Sequence, residues 1–290
     1  MTRKVNIKLT IFLLVAMLSW GLSWTNAKVI GSYADASLIL FWRFVFASIS
    51  FFFIMILNKH PFHISKTKVY LILLNSIFMV SYNYFYFKAT QIGLAGKGGV
   101  LVTTLNPIIT TVISGVFFGG IIRGKDYLGL LLGLMSGGII LNIWSSDFLD
   151  LYNSGNIFFL SASICWAFVT IITAKSKTKV SFMAYTFWSF STATALSFPI
   201  ALGNGFISVF YFDWMFWTNL LILSVIAMSF GTSIYFLASV ELGPKRASAF
   251  IFTVPLSAMI FSAYFLSENI EISTIAGGII GMIAVYIINK

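Results

Sequence analysis

The sequence predicts an all-α integral membrane protein whose ten transmembrane helices form two inverted five-helix repeats. Composition is the first observation: 59% of the 290 residues are hydrophobic and only 9% are charged, with a mean hydropathy of +0.96. A soluble domain carries about 25% charged residues. Second, the apolar residues gather into ten stretches, each near the roughly 20 residues that a spanning helix needs. Third, residues recur between the two halves at an offset of 146 to 148 positions.

The stretches cover 10–29, 37–57, 69–87, 98–118 and 127–144, then 156–173, 181–202, 214–237, 247–266 and 273–288. Before the first lies Met1-Thr2-Arg3-Lys4-Val5-Asn6-Ile7-Lys8, charged like the start of a signal peptide. Trp20, Gly21 and Trp24 stand where a small-residue cleavage site would be, so a retained helix is expected. The connecting loops are short and leave no room for a soluble catalytic or nucleotide-binding domain. Cys165 is the single cysteine, which excludes an intrachain disulfide.

Basic residues set the orientation. With residue 1 in the cytosol, all but four of the 18 basic residues fall on the cytosolic side; the exceptions are Lys28, Arg43, Lys88 and Lys97. Asp35, Asp147, Asp150, Asp213, Glu268 and Glu271 fall on the far side. The alternation matches the positive-inside rule and expects both termini in the cytosol of a cell bounded by this inner (plasma) membrane. The net charge of +10 is then loop charge, and no basic domain exists that would carry nucleic-acid binding.

The repeat is legible residue by residue. Ile11-Phe12-Leu13-Leu14 falls on Ile157-Phe158-Phe159-Leu160, Trp20 on Trp166, and Phe41-Trp42-Arg43-Phe44 on Phe187-Trp188-Ser189-Phe190. After a two-residue slip, Ser81, Lys97, Pro107, Ser114, Gly129 and Gly133 fall on Ser229, Lys245, Pro255, Ser262, Gly277 and Gly281. Five helices per half is an odd number, so the second half, 151–290, enters the membrane from the side opposite to the first, 1–150. Inverted repeats of this kind place a substrate site at their interface near the midplane, between bodies that rock around it. Pro107 and Pro255, mated by the repeat, are expected to interrupt their helices there and act as hinges, since proline in a helix interior costs about 3 kcal/mol.

In these residues the chain resembles the drug/metabolite transporter superfamily, in its ten-helix branch with two EamA-type repeats. The resemblance rests on Leu18-Ser19-Trp20-Gly21, Trp42-Arg43-Phe44, Tyr86-Phe87-Lys88-Ala89, Leu105-Asn106-Pro107-Ile108 and the glycines between 129 and 138. The second repeat adds Tyr235-Phe236-Leu237-Ala238, Val254-Pro255-Leu256 and Glu268 before Gly277-Gly278. The resemblance implies a membrane carrier, often an exporter of amino acids or related metabolites, working by alternating access. One departure stands out. The family's acid near the end of the fourth helix of each repeat is Glu268 in the second repeat and Gly120 in the first.

Candidate substrate-binding residues follow from polarity at depth. Arg43 is the one arginine well inside an apolar stretch, and burying its charge costs at least about 2.5–3.5 kcal/mol unless protein or water receives it. It reads either as a counter-charge for a substrate carboxylate or as a residue that snorkels outward or pairs with Asp35. Trp20 and Trp24 share a face of the first helix with Ser23, and Trp166 and Thr170 repeat the pattern, which suits an amphipathic cavity wall. Asn83 and Tyr86 share a face of the third helix, Ser233 and Tyr235 stand on its mate, and Asn106 adjoins Pro107. Tyr185 and Trp188 share a face of the seventh. Interhelical hydrogen bonding competes with substrate contact for each of these polar groups.

No cofactor or metal is implied. His60-Pro61-Phe62-His63 offers two histidines without further ligands, and Gly119-Gly120-Ile121-Ile122-Arg123-Gly124-Lys125 leads into Asp126 rather than the Ser or Thr of a phosphate loop. No Asp, Glu or His lies deep in any stretch, which disfavours coupling through a buried carboxylate. The partners expected are the lipid bilayer and a small amphipathic molecule, with an amino acid or derivative moving outward as the leading reading. Uptake or exchange of a nucleoside or cofactor and drug efflux are alternatives. A membrane-embedded lipid enzyme is disfavoured because no catalytic cluster appears at either surface.

Overall fold

The computed structural model describes residues 7–65, 69–118, 124–176, 181–241 and 250–289. Within them the chain is helical: α1 (Ile7–Ile30), α2 (Ala36–Leu57), α3 (Val69–Ile92), α4 (Ala95–Phe118), α5 (Gly124–Leu141), a short α6 (Phe148–Asn153), α7 (Asn156–Ser176) and α8 (Phe182–Gly203). A 3-10 turn (Phe206–Tyr211) leads to α9 (Trp214–Leu221), which runs through a π-helical stretch (Ile222–Phe230) into α10 (Gly231–Glu241). A 3-10 turn (Phe250–Phe252) opens α11 (Thr253–Leu266), and α12 (Ile272–Asn289) ends the described chain. Taking α9 to α10 as one rod and setting α6 aside, these are ten membrane-crossing segments. Six are long and apolar enough to span by themselves, and shorter apolar helices cover 126–141, 253–266 and 272–288.

The inversion is visible in side-chain pairing. Phe41 meets Phe198 at 5.7 Å, the Ser48 and Thr194 hydroxyls are 3.3 Å apart, and Phe51 meets Phe190 at 5.7 Å. Position falls along α8 as it rises along α2, so these equivalent helices of the two repeats run antiparallel. α5 and α12 do the same, with the Ser136 hydroxyl donating to the Gly277 carbonyl at 2.7 Å. A side chain at Gly277 would lie 2.9 Å from the Ser136 carbonyl oxygen, so glycine there permits the close approach of the two backbones.

The repeats are interlocked rather than side by side. α3 and α4 of the first pack on α7 of the second, while α9, α10 and α11 of the second pack on α1 of the first. Each sequence half therefore lends its first helix to the other's bundle.

Several boundaries differ from expectation. α3 runs to Ile92 and α4 starts at Ala95, leaving a turn of two residues, because the amides opening α4 are capped by a side chain from the other repeat (below). α6 was not anticipated; Asp147 accepts from the Asp150 amide and Asp150 from the Asp147 amide, a capping box that nucleates one short surface helix. The prolines do not interrupt their helices as expected. α4 continues through Pro107, whose carbonyl accepts from the Thr111 hydroxyl at 2.8 Å. Pro255 sits in the first turn of α11, where a missing amide is tolerated. The start of the ninth stretch, the Gly119-to-Arg123 motif and Lys66, Lys68, Lys177, Lys179, Lys245 and Arg246 lie outside the described residues.

Candidate functional site

α3 presents Asn75, Met79, Asn83, Tyr86 and Thr90, all buried, at spacings of three and four residues that put them on one stripe. Arg43 of α2 meets that stripe. Its guanidinium donates from Nη1 to Asn83 Oδ1 at 2.8 Å and lies 5.3 Å from the Tyr86 ring centre and 5.5 Å from that of Phe87. Asn83 is oriented by its own amide group, which donates to the Met79 carbonyl at 2.8 Å. Tyr86 is fixed by donating to the Ser23 carbonyl of α1 at 2.6 Å.

Arg43 neither snorkels nor pairs with Asp35. It is 8% exposed, its Nε has no partner, and its hydrogen bond goes to the neutral Asn83 rather than to a carboxylate. A hydrogen bond to a charged group contributes about 1.5–3 kcal/mol and a desolvated cation–π contact about 2 kcal/mol. Those neutral contacts are enough to hold the guanidinium at this depth, but they leave its charge without an anion.

From Arg43 an aromatic chain leads towards the second repeat. Tyr86 stacks on Tyr82 at 5.8 Å, and Tyr82 meets Trp166 of α7 at 4.6 Å. Trp166, Tyr82, Asn106 and Pro107 are all half-buried. Asn106 Oδ1 accepts weakly from the Thr110 hydroxyl at 3.5 Å, while its buried Nδ2 has no partner. Across the pseudo-axis, Trp20 lies against Tyr235 at 5.5 Å and both are half-buried.

The two tryptophans are not equivalent. Trp20 donates from Nε1 to the Ala227 carbonyl, in the π-helical stretch, at 2.8 Å. Gly231 makes room for that indole, since a Cβ there would lie 2.7 Å from Nε1. The repeat mates of Ala227 and Gly231 are Met79 and Asn83. On that side the Asn83 amide occupies the Met79 carbonyl, so Trp166 packs on Tyr82 instead.

Other expected site residues are placed elsewhere. Trp24 is 3% exposed and wedged between Tyr86 and Phe159, a packing position. Trp188 is 40% exposed and its indole donates to the Phe62 carbonyl at 2.8 Å, fastening the 58–65 loop instead of joining the Arg43 stripe. Tyr185 is buried against Leu71, Ile72 and Ile172, a packing position. The Thr170 hydroxyl folds back onto the Trp166 carbonyl at 2.9 Å and the residue is exposed; Ser233 likewise bonds the Ser229 carbonyl at 2.7 Å. Ser23, expected on the cavity face of α1, instead receives the Tyr86 hydroxyl at its carbonyl; a residue missed in the sequence is Asn75, which bonds the Ser189 hydroxyl of α8 at 3.2 Å. Asn75 stands two helical turns before Asn83 on the same stripe, and that spacing was the available signal.

The EamA-like transporter family model matches this chain twice, over residues 7–143 and 153–290. An uncharacterized transporter of Archaeoglobus fulgidus is 26% identical over 211 residues, 70% of each chain. The uncharacterized transporter YvbV of Bacillus subtilis is 22% identical over 295 residues, covering 99% of this chain and 92% of the relative. A crystal structure shares the fold with a TM-score of 0.64 at 14% identity, over 97% of each chain. The chain therefore belongs to the EamA-like transporter family, within the drug/metabolite transporter superfamily, and is a multi-pass membrane transporter.

Proposed function

We propose that this transporter exports a small amphipathic metabolite bearing a carboxylate, an amino acid or a derivative of one, across the inner (plasma) membrane by alternating access. The observation that carries the reading is Arg43: a buried guanidinium with a spare Nε–H, held by a neutral amide and two aromatic rings. A substrate carboxylate would supply the missing anion through charge-assisted bonds, the strong class of hydrogen bond. Trp166, Tyr82 and Asn106 supply an apolar wall with a polar handle, as small-molecule sites require. Trp20 and Tyr235 form the matching wall.

In this reading the termini are cytosolic, as the basic loops favour. The moving bodies are the interlocked bundles, α3, α4 and α7 against α1, α9, α10 and α11, rather than the sequence halves 1–150 and 151–290. Pro107 and Pro255 shape the backbone of α4 and α11, the helices that pack on each other where those bundles meet.

The test is a panel of radiolabelled amino acids, their amides and amines, nucleosides and cofactors in reconstituted vesicles. Counterflow of carboxylate-bearing compounds, with little flux of the matched neutral amides, is expected. Preference for a nucleoside or a cationic compound would contradict the proposal.

A further inference from the structure

The end of the molecule remote from Ile7 is fastened by side chains that cross between the repeats. Ser267 turns the chain after α11 through the left-handed region at φ 54°, and the Glu268 amide donates back to the Ser262 carbonyl at 3.3 Å. That turn lays the Glu268 carboxylate over the start of α4. The Ala95 amide donates to Oε1 at 2.8 Å and the Gly96 amide to Oε2 at 2.9 Å. Carboxylates are favoured at helix N-termini because the unpaired amides there carry partial positive charge. Lys97 pairs with Glu271 at 2.8 Å, and Lys28 of α1 donates to the Gly93 carbonyl at 2.8 Å. Beneath the clasp the helices touch: a Cβ on Gly96 would lie 3.3 Å from that of Ser262, and one on Gly99 3.1 Å from the Trp24 ring.

The repeat mates of the clasp residues lack its chemistry in the sequence. Under the repeat offset the mate of Glu268 is Gly120, which has no carboxylate, and the mate of Gly96 is Pro244, which has no amide hydrogen. The mates of Lys97 and Glu271 are Lys245 and Arg123, two cations in place of an ion pair. The sequence thus carries the clasp's chemistry in one repeat frame and not in the other.

We infer that Glu268 is a latch that holds the remote end of the carrier shut. The inference deepens the export reading. In the proposed topology the remote end is the external one, and substrate binding must release the latch before discharge.

The latch is tested with Ser262→Cys, a position 1% exposed, in a Cys165→Ser background. Membrane-impermeant maleimide is applied separately to each face of oriented vesicles. Adding Glu268→Gln takes the charge from both amide contacts and leaves a single acceptor oxygen, so labelling from the remote face should rise roughly tenfold or more. An unchanged labelling rate in monodisperse Glu268→Gln protein would overturn the latch. Labelling that rises from the other face instead would leave the latch standing and contradict the export orientation. A second measurement does not depend on how Glu268→Gln folds. Gly96→Cys with Ser262→Cys places Cβ atoms near disulfide spacing, so oxidation should stop counterflow and reduction restore it. Counterflow that continues in the cross-linked protein would overturn closure at this end.

Discussion

Ser48 and Thr194 stand 146 positions apart and hydrogen-bond to one another at 3.3 Å, so the pseudo-twofold axis of the inverted repeat runs through that contact. The offset is the same one that superposes Phe41-Trp42-Arg43-Phe44 on Phe187-Trp188-Ser189-Phe190. A repeat seen as a sequence alignment is therefore also a physical contact between its equivalent residues.

That contact gives a first prediction. In a double-mutant cycle with Ser48→Ala and Thr194→Val, the coupling energy should be about 0.6 kcal/mol and below about 1.7 kcal/mol, the range for hydrogen bonds between membrane helices. Detergent-driven unfolding measures it. Additive effects would mean that the hydroxyls do not interact.

The tryptophans should respond differently to loss of the indole N–H. Trp20→Phe removes the bond to the Ala227 carbonyl and should cost about 1 kcal/mol. Trp166→Phe, which breaks no such bond, should leave stability within error while changing transport preference. Equal loss of stability in the two variants would contradict the asymmetry.

Packing of α5 on α12 should be intolerant of bulk. Gly277→Val sets a branched side chain against the Ser136 carbonyl and Ile140 and should destabilise by about 1–3 kcal/mol. The comparison is thermal unfolding of purified protein against Gly203→Ala, a position with open space around it. Equal melting temperatures for the two would count against close packing at Gly277.

Proton coupling through a buried acid is not expected. Asp126, buried in the first turn of α5, and the acids Asp35, Glu268 and Glu271 all stand at helix ends, away from Arg43. A pH gradient imposed on vesicles without a substrate gradient should drive little accumulation of substrate. Strong accumulation on acidifying one side would overturn this.

The helices, their inversion and the depth of Arg43 could be read from the chain because each depends on local pattern: apolar length, loop charge and a fixed offset. What Arg43 touches could not. Asn83 was a candidate in its own right, but only the packing of α2 on α3 makes it the partner of the guanidinium, displacing Asp35. Trp188 shows the opposite failure. It shares a helical face with Tyr185, yet the folded-back 58–65 loop captures its indole, a long-range contact with no local signature. The prolines misled because their cost depends on position: Pro107 is accommodated within α4, and Pro255 falls where helix entry tolerates it. Glu268 was visible as an acid missing from its mate at Gly120, but the amides it holds belong to the other repeat.

The most direct test of the carboxylate reading is Arg43→Gln in proteoliposomes, measured in parallel on an amino acid and on the matched amine that lacks the carboxylate. Glutamine keeps an uncharged polar group at this depth, and thermal unfolding of the variant checks that the fold holds; loss of the charge should cut flux of the carboxylate by tenfold or more, as expected for a charged pair worth about 2 kcal/mol or more. Flux of the amine should stay near that of the parent. Equal losses for both compounds would contradict the proposed role of Arg43.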